Sequence, residues 1–374
     1  MRKFFLFLLL PVFLAAQTSV DGDFHPRLRI SVLTCAPGEE LYSTFGHTAV
    51  RIIDSIRGTD IVYNYGTFDF DDPDFYTKFT RGKLNYFLSV SGLPEFLYEY
   101  QSENRTVTEQ ELNLNDKQQL LIQAALAANL SGPSRYYPYD FLYNNCTTRV
   151  RDILTRYAGL EVREKLVPPG TSFRNMIHTY LIKGNEPWSR LGIDILLGSP
   201  TDLQPGIDAS MFLPDYLMKG IEAAPGLVKN TRQLNSGNPG SGSYTNWPLI
   251  VAMIACLAIW ITTLLPLPKL TRILDTILFA LTGLLGLFLI FMWVGTDHAA
   301  CKGNYNLLWA FPPNIVAAIL VWTKRRHLKH YFTATGLIYL VTAAAWFWFP
   351  QHLNPALLPL AILLLIRCIR LRNV

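Results

Sequence analysis

Charge is scarce over most of the second half of this 374-residue chain: from about residue 247 to 369, long apolar runs are broken only by short polar joints. Such a stretch does not read as soluble, whereas residues 1 to about 245 carry charges, turns and alternating strands, so one soluble domain followed by a membrane domain is expected. Other absences narrow the chemistry. There is no phosphate loop and no dinucleotide motif, and no internal repeat. The five cysteines show no metal-ligand spacing, so no structural zinc and no cofactor is assigned. The net charge of +5 sits mostly in joints of the apolar half, where topology demands it, and nucleic acid is not an expected partner.

The ends and joints set the topology. Arg2 and Lys3, the apolar residues 4–14 and Ala15-Ala16-Gln17 read as a secretory signal (residues 1–17), with an uncleaved anchor as the alternative. No cysteine follows the cleavage region, so a lipoprotein anchor is not indicated. Residues 18–234 are then the exported domain, with a core of about 28–160 and a helical extension, and 235–246 a flexible linker. Apolar spans cover about 247–265, 273–295, 307–322, 332–349 and 356–369, inside a membrane domain of 247–374. Lys269 and Arg272 lie in the first joint, Lys324-Arg325-Arg326 and Lys329 in the third, and Arg367, Arg370 and Arg372 close the chain. The second and fourth joints (296–306 and 350–355) hold one lysine between them. The positive-inside rule therefore places the first domain outside and the C-terminus in the cytoplasm, in a multi-pass inner-membrane protein. The short last span leaves four spans and a re-entrant segment as the alternative.

Within the exported domain the patterns predict strands near 28–33, 48–53, 61–66 and 84–90, with 105–108 extended. Helices are predicted near 75–81, 93–104, 116–130 with Asn115 as cap, 172–181 and 214–223. A further helix opens at Cys146, with Asn144 or Asn145 as N-cap and Val150, Ile153, Leu154 and Tyr157 as its apolar stripe.

Cysteine usage singles out that helix. Cys35, Cys146 and Cys301 are the exported cysteines, an odd number that suggests one thiol kept free; a Cys35–Cys301 disulfide is the competing use of the other two. A thiol in a helix's first turn has its thiolate favoured by unpaired N–H groups and the helix dipole. It also needs a base, and the best candidate is His47 in Ser43-Thr44-Phe45-Gly46-His47-Thr48-Ala49-Val50-Arg51. The bland alternatives are a buried small cysteine and a satisfied core histidine.

The motifs Phe45-Gly46-His47-Thr48-Ala49-Val50-Arg51, Tyr63-Asn64-Tyr65-Gly66-Thr67-Phe68-Asp69-Phe70 and Asn145-Cys146-Thr147-Thr148-Arg149-Val150-Arg151-Asp152 resemble the Lnb-type N-terminal periplasmic domain family. Thr296-Asp297-His298 and Asn304-Tyr305-Asn306-Leu307-Leu308-Trp309 resemble that family's second signature. The order of histidine strand before cysteine helix is similar, more distantly, to the permuted papain-like (NlpC/P60-type) cysteine enzymes. The resemblance implies an α+β permuted papain-like extracytoplasmic domain followed by an all-α transmembrane bundle of about five helices. It implies Cys146 as nucleophile, His47 as base and then acid, and Asn64, with Asp69 as runner-up, as the group orienting the imidazole. Oxyanion donors would be the Cys146 N–H and the Asn145 side chain; Arg149 is a candidate contact for an anionic substrate, and Arg151–Asp152 a structural pair. Tyr65 is one of several tyrosines that would line a groove or, more commonly, pack a wall. Asp297, His298, Asn304 and Asn306 form a candidate membrane-interface site, with ordinary interfacial polarity as the alternative.

Two functions from different classes follow. One is a membrane-anchored thiol hydrolase or acyltransferase acting on an amide or ester of a lipid-linked or cell-wall envelope substrate. The other is a non-catalytic envelope binding module. Five spans exceed what anchoring requires, which favours a lipid-borne substrate.

Overall fold

The computed structural model describes residues 28–40, 42–69, 71–237, 243–323 and 328–373; the expected signal segment and the middle of the expected linker lie outside them. The N-terminal domain is mixed α/β. Its strands are β1 (Leu28–Cys35), β2 (His47–Asp54), β3 (Thr59–Thr67), β4 (Asn85–Gly92), β5 (Val107–Leu112), β6 (Tyr136–Pro138) and β7 (Val228–Asn235). They form one antiparallel sheet in the order β6-β4-β3-β2-β1-β5-β7. Its helices are α1 (Phe75–Thr80), α2 (Leu93–Ser102), α3 (Asp116–Ser131), α4 (Cys146–Ile153), α5 (Phe173–Lys183), α6 (Pro187–Leu196), α7 (Ile207–Ser210) and α8 (Pro214–Ala223).

The central strands are apolar on both faces because both faces are covered. Leu33, Cys35, Ala49 and Val62 meet Phe96 and Tyr100 of α2. Ile30, Val32, Val50, Ile52 and Tyr65 meet α3, α4 and α8 through Ile122, Leu126, Val150 and Leu217. Two strands depart from the sequence pattern. β5 runs on to Leu112 because Glu109 is buried there between Arg51 (2.9 Å) and Arg232 (2.6 Å), a charge that breaks the apolar alternation. β7, Val-Lys-Asn-Thr-Arg-Gln-Leu-Asn, is a polar edge strand with almost no buried side chain, and it occupies the first residue expected of the linker.

Each of the five apolar runs contains a helix: α9 (Trp247–Ile261), α10 (Pro268–Val294), α11 (Asn314–Leu320), α12 (Leu328–Ala344) and α13 (Leu358–Arg372). Among the described residues only α10 is both long and apolar enough to cross a bilayer unaided; its 27 residues span about 40 Å. The third run is not continuous. Pro312 and Pro313 confine its helix to Asn314–Leu320, and the start of α11 and the chain before it pack on α10 at two glycines. A Cβ on Gly283 would run into Ile315 N, and one on Gly286 into Ala310 O. The Asn314 side chain joins Thr282 (3.0 Å), Tyr331 (3.0 Å) and Tyr339 (2.8 Å). Arg367, counted in sequence among the basic residues that close the chain, is instead sealed in the bundle against Asp275 of α10 by a two-pronged ion pair.

The two regions are joined by buried polar contacts rather than by the connecting segment alone. Asp194 of α6 is fully buried and receives Arg174 Nη1 (2.9 Å), His178 Nε2 (2.8 Å) and Asn354 Nδ2 (2.9 Å). Burial would raise this carboxyl, but His178 and Arg174 outweigh it and hold Asp194 below its ordinary value. Asn304 donates to Ile195 O (2.8 Å), Asn306 to Asp194 O (2.9 Å) and Gln351 to Leu197 O (3.0 Å). The second and fourth joints therefore lie against the N-terminal domain.

Candidate active site

The site is assembled where α4 crosses β2 and β3. Asn145 caps α4 in a capping box: its Oδ1 accepts from Thr148 N (2.9 Å) while Thr148 Oγ1 accepts from Asn145 N (2.8 Å). Cys146 is thereby fixed as the first residue of the helix, with its N–H outside the helical ladder. His47 is the first residue of β2, paired with Cys35 of β1. Thr48 and Thr147, the residues following each, are buried and share a 3.0 Å hydroxyl contact that ties helix to strand beside the pair.

Gly66 lets sulfur and imidazole meet. It lies in the irregular stretch of β3 between Asn64 and Thr67, at φ +93°, and a Cβ there would sit 3.3 Å from Cys146 Cβ and 4.0 Å from His47 Cε1. Cys146 and His47 lie close enough to shift each other's ionisation, and both are half-buried rather than sealed. Burial opposes ionisation of the thiol. The His47 imidazole outweighs it, helped by the Thr48 N–H and the Thr147 hydroxyl 3.8 Å from the sulfur, and brings Cys146 from 9.0 to about 7. Burial likewise opposes the imidazolium, but Cys146 and then Asn64 raise His47 above its ordinary value. Both shifts favour the same state, thiolate beside imidazolium.

The remaining candidates separate. Asn64 contributes to the imidazole, yet its buried Oδ1 makes no well-aligned hydrogen bond and its amide reaches only Ser91 Oγ at 3.5 Å, so its hold on His47 is loose. Asp69 is exposed and folds back on the Asp71 N–H (2.9 Å), so it is a loop cap rather than a partner of His47. Asn145 has both amide hydrogens committed, to Phe141 O (2.7 Å) and Phe212 O (3.0 Å), and none is left for an oxyanion. Tyr65 is fully buried with its hydroxyl accepting from Asn129 (2.6 Å), which makes it core. Arg149 stacks on Tyr137, 4.2 Å from the ring centre, and bonds Asn144 (2.8 Å). Arg151 pairs with Asp152 at 2.8 Å. Asn304 and Asn306 are buried clamps onto α6, and Asp297 and His298 bind the end of α1, so these four form no common site. Cys35 and Cys301 are free, buried thiols; Cys35 lies among Phe96 and Tyr100, and burial followed by the nearby Asp140 carboxylate raises Cys301 to about 11. Among the described residues no three His, Cys, Asp or Glu side chains gather as metal ligands.

Tyr137, in sequence one of several tyrosines that would line a groove or pack a wall, is a neighbour to which sequence reasoning gave no chemical role. It is 2% exposed, and its hydroxyl is buried without a well-formed hydrogen bond. Burial and then the Cys146 sulfur hold the phenol protonated well above its ordinary value, with Arg149 and then the Gly66 N–H acting in the other direction. A run of tyrosines reads as wall packing in sequence; only the orphaned hydroxyl beside a thiol distinguishes this one.

Comparison with known proteins fits this architecture. Residues 21–179 match the family model described as the Lnb N-terminal periplasmic domain, and residues 241–373 match the Lnb transmembrane domain. No curated protein and no solved structure matches the chain. With α10 and its companion helices carrying the second match and the thiol-bearing α/β domain the first, the chain belongs to the Lnb family of membrane proteins with a periplasmic N-terminal domain.

Proposed function

We propose that this protein is a thiol hydrolase or acyltransferase working at the periplasmic face of the inner membrane, on an α+β domain of permuted papain-like (NlpC/P60-like) type. The observation that carries the reading is the Cys146–His47 pair, with both pKa shifts toward thiolate and imidazolium. The thiolate attacks the carbonyl carbon of an amide or ester, and the oxyanion so formed is held by the Cys146 N–H and the Tyr137 hydroxyl. As the tetrahedral adduct collapses, the His47 imidazolium protonates the leaving nitrogen or oxygen, which departs and leaves a thioester on Cys146. Neutral His47 then takes a proton from water, or from an acceptor amine or hydroxyl, which attacks the thioester and frees the enzyme. Asn64 is a positioning residue for the imidazole, and Arg149, above Tyr137, a contact for substrate negative charge.

Contacts between the two regions support the orientation. The second and fourth joints touch the periplasmic domain, which supports the basic first and third joints and the C-terminus facing the cytoplasm. The test is electrophile labelling of whole cells with an iodoacetamide probe. Labelling is expected at Cys146, lost in Cys146→Ala and strongly reduced in His47→Ala. Labelling that survives loss of His47 would mark an ordinary exposed thiol and leave the fold as a binding module.

A further inference from the structure

We propose that the buried hydroxyls of Thr48 and Thr147 form a hydrogen-bond chain of fixed direction, Thr48 to Thr147 to the Cys146 sulfur, and that this chain speeds release of the acyl group by receiving the sulfur as it departs as a thiolate. The direction stands on the hydrogen bonds alone; the catalytic consequence rests on the thiol reading above.

A hydroxyl brings one hydrogen and two acceptor sites, so the donors and acceptors around this sulfur can be counted. Thr147 Oγ1 lies 3.0 Å from Thr48 Oγ1 and 3.8 Å from Cys146 Sγ. Thr48 is 0% and Thr147 1% exposed, so bulk water offers neither hydroxyl another partner. Helical threonines commonly spend their hydrogen on a carbonyl three or four residues back. Thr147 is the second residue of α4, where those carbonyls lie ahead of the helix, and its hydroxyl turns to the sulfur and to Thr48 instead. Thr148, next along, spends its hydroxyl on the Asn145 carbonyl and N–H. Behind Thr48 stands Thr34, its direct partner across β1, whose buried hydroxyl makes no hydrogen bond, so the chain ends at Thr48.

Only one direction uses both hydrogens. If Thr48 donates to Thr147, then Thr147 donates to the sulfur and nothing is stranded. If Thr147 donates to Thr48, the Thr48 hydrogen is buried without an acceptor and the sulfur has no hydroxyl donor. Two buried donors in series also polarise each other, which makes the last one stronger than a lone hydroxyl.

That donor matters most when charge returns to the sulfur. In the acyl-enzyme the sulfur belongs to a thioester and accepts weakly, so the Thr147 hydrogen is poorly paired. Water, or an acceptor amine or hydroxyl, adds to the thioester carbon and gives its proton to His47. When the adduct collapses the C–S bond breaks and its electron pair stays on Sγ. Thr147 donates to this new thiolate, beside the His47 imidazolium. The chain is satisfied in the free enzyme and not in the acyl-enzyme, which favours breakdown of the intermediate. Thr147, touching the sulfur, is a catalytic residue in this step; Thr48, acting through it, is a positioning residue.

The chain is tested on the full protein in detergent micelles with the shape-matched variants Thr147→Val and Thr48→Val, their combination, and Thr147→Ser. The measurements are thermal unfolding, the pH midpoint of iodoacetamide alkylation at Cys146, and decay of the acyl-enzyme formed from p-nitrophenyl acetate, followed by intact mass. Thr147→Val is expected to raise the midpoint by about one pH unit and to slow the decay several-fold. Thr147→Ser should restore both, and Thr48→Val should move both the same way by less. The double variant, with neither hydroxyl left unpaired, should regain thermal stability while keeping the midpoint and decay of Thr147→Val. If midpoint and decay recover along with stability, or if Thr147→Val leaves them at wild-type values, the pair only fastens helix to strand and the proposal is overturned. If the wild type forms no acyl-enzyme, or its alkylation does not depend on His47, the thiol reading and the release step fall together, and the midpoint shift still decides the direction of the chain.

Discussion

Replacing His47 by Gln removes the group that outweighs burial at Cys146, and the consequence can be worked through in numbers. The shift of the thiol from 9.0 to about 7 corresponds to about 2.7 kcal/mol of preferential stabilisation of the thiolate. At pH 7 the wild-type sulfur is about half ionised, and with an ordinary thiol pKa it would be about 1% ionised, a loss of roughly fiftyfold. A more basic thiolate is the better nucleophile, and over two units that returns roughly eightfold. The net expectation is therefore a roughly sixfold slower alkylation at pH 7, more if burial carries the variant's pKa above 9. The assay is the pH dependence of iodoacetamide alkylation of the full chain in detergent micelles, with the Cys146→Ser rate subtracted. Because the pKa is lowered, wild-type reactivity is retained down to about pH 7 and is lost as pH falls through that value. In His47→Gln the loss begins near pH 9. Turnover, which also needs the imidazolium as acid, should be bell-shaped, falling at high pH as His47 deprotonates above its ordinary value. A wild-type midpoint near 8.5 to 9, or one that His47→Gln does not move, would refute the ion-pair argument.

Four further expectations follow from the geometry. Tyr137→Phe removes a buried hydroxyl that makes no well-formed bond, so thermal unfolding should barely change while acylation by a p-nitrophenyl ester falls on the order of a hundredfold; unchanged acylation removes Tyr137 from the oxyanion site. Gly66→Ala puts a methyl 3.3 Å from Cys146 Cβ at a left-handed φ, which should cost about 1–2 kcal/mol in denaturant unfolding and move the alkylation midpoint back toward 9. Asn145→Ala loses a helix cap worth about 1 kcal/mol and also strands Phe141 O and Phe212 O, so chemical denaturation should show a loss well beyond the cap alone. In the membrane region, Arg367→Leu leaves Asp275 buried and alone, at about 3–5 kcal/mol; thermal unfolding in detergent should recover when Asp275→Leu is added, and a double variant no better than the single one would show that the pair is not coupled.

Local signals in the sequence carried the site's framework. The cap at Asn115 and the choice of Asn144 or Asn145 ahead of Cys146 are readable because a capping box spans four residues and closes within one turn; the structure takes Asn145. Five apolar runs are enough to locate five helices. What sequence could not supply was where distant atoms land. Asn145 looks free to serve an oxyanion until Phe212 O, 67 residues away, takes one of its hydrogens. Gly66 is an unremarked residue in a strand motif until α4 is laid across it. Arg367 sits among basic residues at the end of the chain and reads as a cytoplasmic charge, yet its partner is 92 residues earlier. β7 and α6 were invisible for opposite reasons: the first is polar along its length, and the second buries Asp194 in the middle of an otherwise apolar face.

The network centred on Asp194 bears on how this protein operates in a crowded envelope. With carboxylate, guanidinium and three carboxamides locking the soluble half onto its bundle, Cys146 has one working height above the lipid and no tether on which to reach outward. A cargo anchored in the same leaflet meets that height by diffusing in two dimensions, whereas a polymer strand farther away never does. Geometry of attachment, more than pocket shape, would then decide which molecules are ever substrates.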